Sequence, residues 1–151
     1  MQPEDNLLEQ IRHAFPAKER DIRTVSPLKL AYLGDAVFEI LIRTYVFDSA
    51  KGPVKQLHYL TSSLVNAGSQ AAMAHRMRPK LTAEEETIFK RGRNAKAASV
   101  AKNADIVDYR NATGLEALYG YLYLTNQMER AIELLQYAHK ECENGGNHEG
   151  T

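Results

Sequence analysis

The chain has 151 residues, 44% hydrophobic and 25% charged, proportions that suit one globular domain and exclude a disordered chain. Lys and Arg (19) balance Asp and Glu (19), so any surface for a nucleic acid has to be local rather than global. The single cysteine, Cys142, excludes an internal disulfide and a cysteine-based zinc site. The N-terminal residues lack a signal-peptide pattern, and no apolar run approaches the roughly 20 residues needed to span a bilayer; a cytoplasmic protein is expected.

Helical periodicity dominates and strand alternation is scarce, which predicts an all-α fold. Residues 4–15 form a short amphipathic stretch, followed by the polar connector PAKERDIRTV. Ser26 suits an N-cap and Pro27 the first helical position of a helix reaching about Phe47, before the turn-like DSAKGP. Residues 57–77 carry one or two helices, with a break expected near Thr61-Ser62-Ser63. Pro79 interrupts, and Thr82 caps the next helix, where Glu84, Glu85 and Glu86 favour the positive end of the dipole. AASVAKNADIV reads as a loop leading into a short helix; residues 111–124 form an apolar helix and 127–141 an amphipathic one. The expected organisation is an extension over 1–24, one domain over 25–142 and a flexible tail over 143–151.

Residues 30–42, LAYLGDAVFEILI, place a carboxylate in the middle of an apolar helix. Leu30, Leu33, Val37, Ile40 and Leu41 form one stripe, while Asp35 has Ala31, Tyr32, Phe38 and Glu39 as its neighbours one turn away. That second face is also largely apolar, so the helix is expected to be buried nearly all round. Spacing alone favours an Asp35 that meets solvent at a groove or pairs with an arginine. The same oddity recurs in NATGLEALYGYLYL, where Glu116 is the only charge between Arg110 and Glu129. If the two helices pack together, the two acids converge on an oxygen-ligand site for a hard cation such as Mg²⁺; otherwise each forms its own ion pair. The segment KRGRNAK (90–96), with Lys102 and Arg110 nearby, reads either as a solvated helix end or as a cationic surface for phosphates. A basic segment beside a carboxylate pair points to metal-assisted hydrolysis of a nucleic-acid phosphodiester. The run Glu84–Glu86 is read as helix-start acids, because adjacent helical side chains diverge. The five histidines show no metal-ligand spacing and receive no catalytic role.

Taken together, LAYLGDAVFE, KRGRNAK and GLEALYGYLYL resemble the catalytic domain of the ribonuclease III family, in particular its short branch, Mini-ribonuclease III, over residues 27–138. The resemblance implies an all-α homodimer that cleaves double-stranded RNA with Mg²⁺, leaving 5′-phosphate and 3′-hydroxyl ends. Asp35 matches the aspartate of the family's LGDA signature and Glu116 the glutamate of its later EAL motif, the two implied catalytic and metal-binding residues. Two further family acids are missing: Ala31 and Thr113 stand at their positions, as in the short branch. That implies a thinner metal shell, to which Glu39 is a candidate contributor through a water. Tyr32 occupies the position of the family's dimer-contact aromatic. Lys90, Arg91, Arg93 and Lys96 are the candidate RNA contacts, with Asn94 and Lys102 behind them. Resemblance to the branch also suggests maturation of the large-subunit (23S) ribosomal RNA precursor, with a ribosomal protein as a possible helper. The competing readings are a ribonuclease III-like domain that binds RNA without cleaving it, an all-α nucleotide pyrophosphohydrolase and a helical interaction module without chemistry.

Overall fold

A computed structural model describes residues 6–95 and 105–149 of the chain, and these are helical with no strand among them. The order is α1 (Leu7–Ala14), a 3₁₀ turn (Ile22–Thr24), α2 (Pro27–Ser49), α3 (Val54–Val65), α4 (Ala67–Met77), a second 3₁₀ turn (Arg78–Lys80), α5 (Ala83–Asn94), α6 (Ile106–Leu124) and α7 (Met128–Glu149).

Local chemistry accounts for most helix ends. Asn6 caps α1 by accepting from the Glu9 amide at 2.9 Å. Pro27 opens α2 as expected, but Ser26 makes no side-chain capping bond. Thr82 and Glu85 close a reciprocal capping box on α5. Glu85 is itself buried and meets Arg130 of α7 through two hydrogen bonds of 3.0 Å, while Glu86 pairs with Arg78. The three consecutive acids thus diverge, as expected of helix-start residues rather than a metal cluster.

Three boundaries differ from the sequence expectation. The break between α3 and α4 falls at Asn66, not at Thr61-Ser62-Ser63. Asn66 adopts an extended backbone and its side chain accepts from the Ser69 amide at 2.9 Å, whereas Thr61 is buried within α3. Helix α6 starts five residues early, because Asp105 caps it through the amides of Val107 and Asp108 at 2.9 and 3.2 Å. Helix α7 continues to Glu149, through most of the stretch expected as a tail.

Helix α6 is the axis of the domain. Ala112, Leu115, Leu118, Tyr119 and Leu122 are buried around its circumference, with α2, α4 and α5 packed against it. Phe38 of α2 meets the Tyr119 ring edge-on at 5.4 Å, and the Tyr119 hydroxyl donates to the Ala131 carbonyl at 2.7 Å, tying α7 to the core. Helix α2 is not buried all round. Tyr32, Ile40 and Phe47 are exposed on its outer flank, so Ile40 leaves the predicted core stripe.

Glycines decide how closely the helices approach α6. A Cβ on Gly34 would lie 1.6 Å from the Glu116 carbonyl oxygen, and one on Gly120 would lie 2.0 Å from the Leu30 carbonyl oxygen. Helices α2 and α6 therefore cross backbone against backbone. A second crossing joins α5 to α6: a Cβ on Gly92 would lie 2.7 Å from the Ala117 Cβ, and one on Gly114 would lie 2.8 Å from the Phe89 carbonyl oxygen. The glycine of KRGRNAK is thus a buried packing residue inside α5.

Gly→Ala in a helix ordinarily stabilises by about 0.5–1 kcal/mol. Gly34→Ala is expected to reverse that sign and destabilise by about 2 kcal/mol or more, because α2 has to move off α6. Gly68→Ala on α4, where the nearest atom would lie at 3.5 Å, is expected to be neutral or stabilising. Denaturant unfolding of the two variants checks the contrast; equal effects would refute the crossing.

Candidate active site

Asp35 directly follows Gly34, and Glu116 is the residue whose carbonyl Gly34 approaches. The crossing therefore brings the two lone acids of α2 and α6 to one place. Asp35 is exposed and Glu116 is partly buried. Burial, and next the negative charge of Asp35, push the Glu116 carboxyl up to about 7; a hydrogen bond from Gln70 of α4 acts in the opposite direction. Among the described residues neither acid is in an ion pair. Two uncompensated carboxylates that repel each other form a donor set for a hard divalent cation, so the residues present fit such an ion, with Asp35 and Glu116 as the side chains that would hold it. No group of three or more His, Cys, Asp or Glu side chains with that capacity occurs among the described residues.

The positions of the missing family acids are occupied in other ways. Ala31 is 6% exposed in the core, and the Thr113 hydroxyl donates to the Tyr109 carbonyl at 3.0 Å within its own helix. Glu39 accepts from Arg43 at 3.0 Å, so its carboxylate is engaged one turn along α2.

The second crossing lays the end of α5 beside residues 113–117 of α6, next to Glu116. Arg93 and Asn94 share a hydrogen bond of 3.3 Å, and Lys90 stands 3.9 Å from Glu86. Arg91 is half-buried and donates to the Val25 carbonyl at 3.3 Å, which fastens the connector before α2 to α5. Lys96 and Lys102 lie outside the described residues. Tyr32 is 84% exposed, on the same helix as Asp35. Gln70, 2% exposed, was not singled out in the sequence; its only local signal is polarity on a helix face otherwise made of Ala71, Met73, Ala74 and Met77.

The ribonuclease III domain model matches residues 28–127, which contain both acids and both helix crossings. The chain belongs to the ribonuclease III family and is an endoribonuclease of that type. Its relatives place it in the Mini-ribonuclease 3 branch. It is 44% identical over 133 residues to the Mini-ribonuclease 3 of Clostridium tetani, covering 87% of this chain and 88% of that protein. It is 49% identical over 121 residues to that of Brevibacillus brevis, covering 79% and 89%. The crystal structure of protein FN1578 from Fusobacterium nucleatum is 31% identical, with a TM-score of 0.72 over 82% of this chain and 98% of that one.

The raised Glu116 carboxyl has a consequence for metal-free protein. Between an ordinary 4.5 and about 7, the folded protein keeps a proton that the unfolded chain has released. Stability therefore falls as pH rises through that window and levels off above it. Glu116→Gln removes this fall, and is expected to be more stable than the parent at about pH 8 by on the order of 2 kcal/mol, with no such advantage near pH 4. Denaturant unfolding at both pH values, with chelator present, checks this; a pH-independent difference would contradict it.

Proposed function

We propose that this chain is a Mg²⁺-dependent endoribonuclease that cleaves double-stranded RNA as a homodimer in the cytoplasm, with Asp35 and Glu116 as its catalytic carboxylates. The observation that carries the proposal is the meeting of these two acids, neither in an ion pair among the described residues, at the α2–α6 crossing within a ribonuclease III domain. A bound divalent cation supplies charge neutralisation at the scissile phosphate and an activated water. Asp35 and Glu116 provide its protein oxygen ligands. The partly buried setting of Glu116 strengthens the electrostatic pull of the pair on a cation. Lys90, Arg91, Arg93 and Asn94, at the end of α5, hold the RNA backbone near the site, with Lys96 and Lys102 completing the cationic segment. A-form RNA is read through shape, phosphates and 2′-hydroxyls, which suits a small cationic surface.

The outer flank of α2 supports the dimer. Leu28, Tyr32, Ile40 and Phe47 are large apolar side chains exposed along one helix that also carries Asp35. A two-fold axis there buries them, inserts Tyr32 into the partner and brings two acid pairs and two basic segments to one duplex. Two such sites cut both strands. Resemblance to the short branch supports the 23S ribosomal RNA precursor as the natural substrate and a ribosomal protein as an assisting partner.

The rival with an observation in its favour is RNA binding without cleavage, since Ala31 and Thr113 supply no ligands. Incubation of the purified protein with duplex RNA and Mg²⁺ separates the two. Cleavage with 5′-phosphate products is expected, with Asp35→Asn lowering the rate more than about 100-fold, beyond the range usual for outer-shell residues, while leaving the dimer intact in size-exclusion chromatography. Binding without cleavage by the parent, or full turnover by Asp35→Asn, would overturn the assignment.

A further inference from the structure

A cavity of about 340 Å³ opens between the C-terminal half of α2 and helices α3, α4 and α7, away from the two acids. Its first residue on α2 is Ile42, two turns beyond Asp35. Ile42, Val46 and Met73 form a buried floor, and Leu60, Leu64 and Leu135 line half-buried walls. Domain interiors hold few voids larger than a water molecule, because unfilled space forfeits contacts between apolar atoms. Ser49, Ala50 and Ser63, also around this cavity, are small, and larger apolar side chains there would take up the space.

We propose that this cavity is a binding site for a small neutral aromatic molecule that carries one hydrogen-bond donor, such as a phenol or an indole. Three features of its lining define that chemistry. Among the described residues no Lys, Arg, Asp or Glu lines it, so a phosphate or carboxylate would enter without a counter-charge. The body of the ligand is therefore apolar, and the Met73 thioether and the leucines favour a flat ring. The serines then set the polar group. Ser49 Oγ donates to the Tyr45 carbonyl and Ser63 Oγ to the Leu60 carbonyl, each at 2.6 Å. With their hydrogens spent on their own helices, both hydroxyl oxygens are left to accept, which calls for a donor on the ligand. Tyr45 and His139 complete the wall, with ring centroids 5.3 Å apart and Nε2 of His139 held 3.2 Å from Glu143. A volume of this size lies at the small end of ligand pockets and suits one ring system.

The test is a titration of the full chain, with its methionine methyl groups labelled for NMR, against indole, phenol, toluene and benzoate. Indole and phenol are expected to move the Met73 methyl saturably and to leave Met128, which does not line the cavity, in place. Toluene has the shape of phenol without the donor, and is expected to bind about threefold more weakly or worse. Benzoate carries a charge into the apolar space and is expected to bind more than about tenfold more weakly than indole. Ser63→Leu removes an acceptor and fills space, so it is expected to lose the saturable shift while duplex-RNA cleavage is unchanged; Ser49→Leu replaces it should that variant lack a thermal transition. No saturable Met73 shift with indole or phenol, or an undiminished one in the folded serine variant, would overturn the site. Toluene binding as tightly as phenol, or benzoate as tightly as indole, would overturn its chemical assignment. The readout is on the protein alone, so none of these results depends on the metal reading of Asp35 and Glu116.

Discussion

The close contact between Gly34 and Gly120 is the constraint on which the rest of the structure depends. Ordinary helices pack with their axes 8–10 Å apart, held off by side chains. Here each glycine stands where the other helix's carbonyl leaves no room for even a methyl group. That approach does two things at once. It seats α2 on the central helix α6, so that Phe38 and Tyr119 meet in the core, and it delivers Asp35 beside Glu116. The Gly92–Gly114 contact repeats the device on another side of α6 and brings the basic end of α5 alongside. Stability and the candidate chemistry share the same small residues.

The electrostatics follow from that placement. Burial, and next the charge of Asp35, disfavour ionisation of Glu116, and among the described residues no cationic side chain pairs with it. Among the described residues Asp35 and Glu116 have no arginine partner, whereas Glu85 pairs with Arg130 and Glu39 with Arg43. The contrast supports a cation as the intended counter-charge at Asp35 and Glu116. In the proposed site Ala31 and Thr113 would supply no ligands to such a cation, which would leave Asp35 and Glu116 as its protein carboxylates.

Much of this was legible in the sequence, and the remainder was not for physical reasons. Lone acids in apolar helices are a local anomaly, visible without tertiary information, and so are the Thr82–Glu85 capping box and Pro27 at a helix start. The α2–α6 crossing is a long-range relation between positions 34 and 120, and glycine in a helix reads locally only as a weak point. For the same reason Gly92 read as part of a basic helix end, when packing against α6 determines its identity. The missed break at Asn66 and the early start at Asp105 are side-chain caps whose residues also suit loops. Gln70 was invisible because glutamine is an ordinary helical residue, and only burial beside Glu116 makes it unusual. The exposed flank of α2 read as core because apolarity along a helix does not by itself report which faces other elements cover.

The most direct test of the central claim, that the glycine crossing makes Asp35 and Glu116 one metal centre, is anomalous diffraction from crystals grown with Mn²⁺. The account predicts an anomalous peak within coordination distance of both carboxylates in each copy of the chain, and loss of that peak in Glu116→Gln. Mn²⁺ bound elsewhere, or held by one acid with the other turned away, would contradict it.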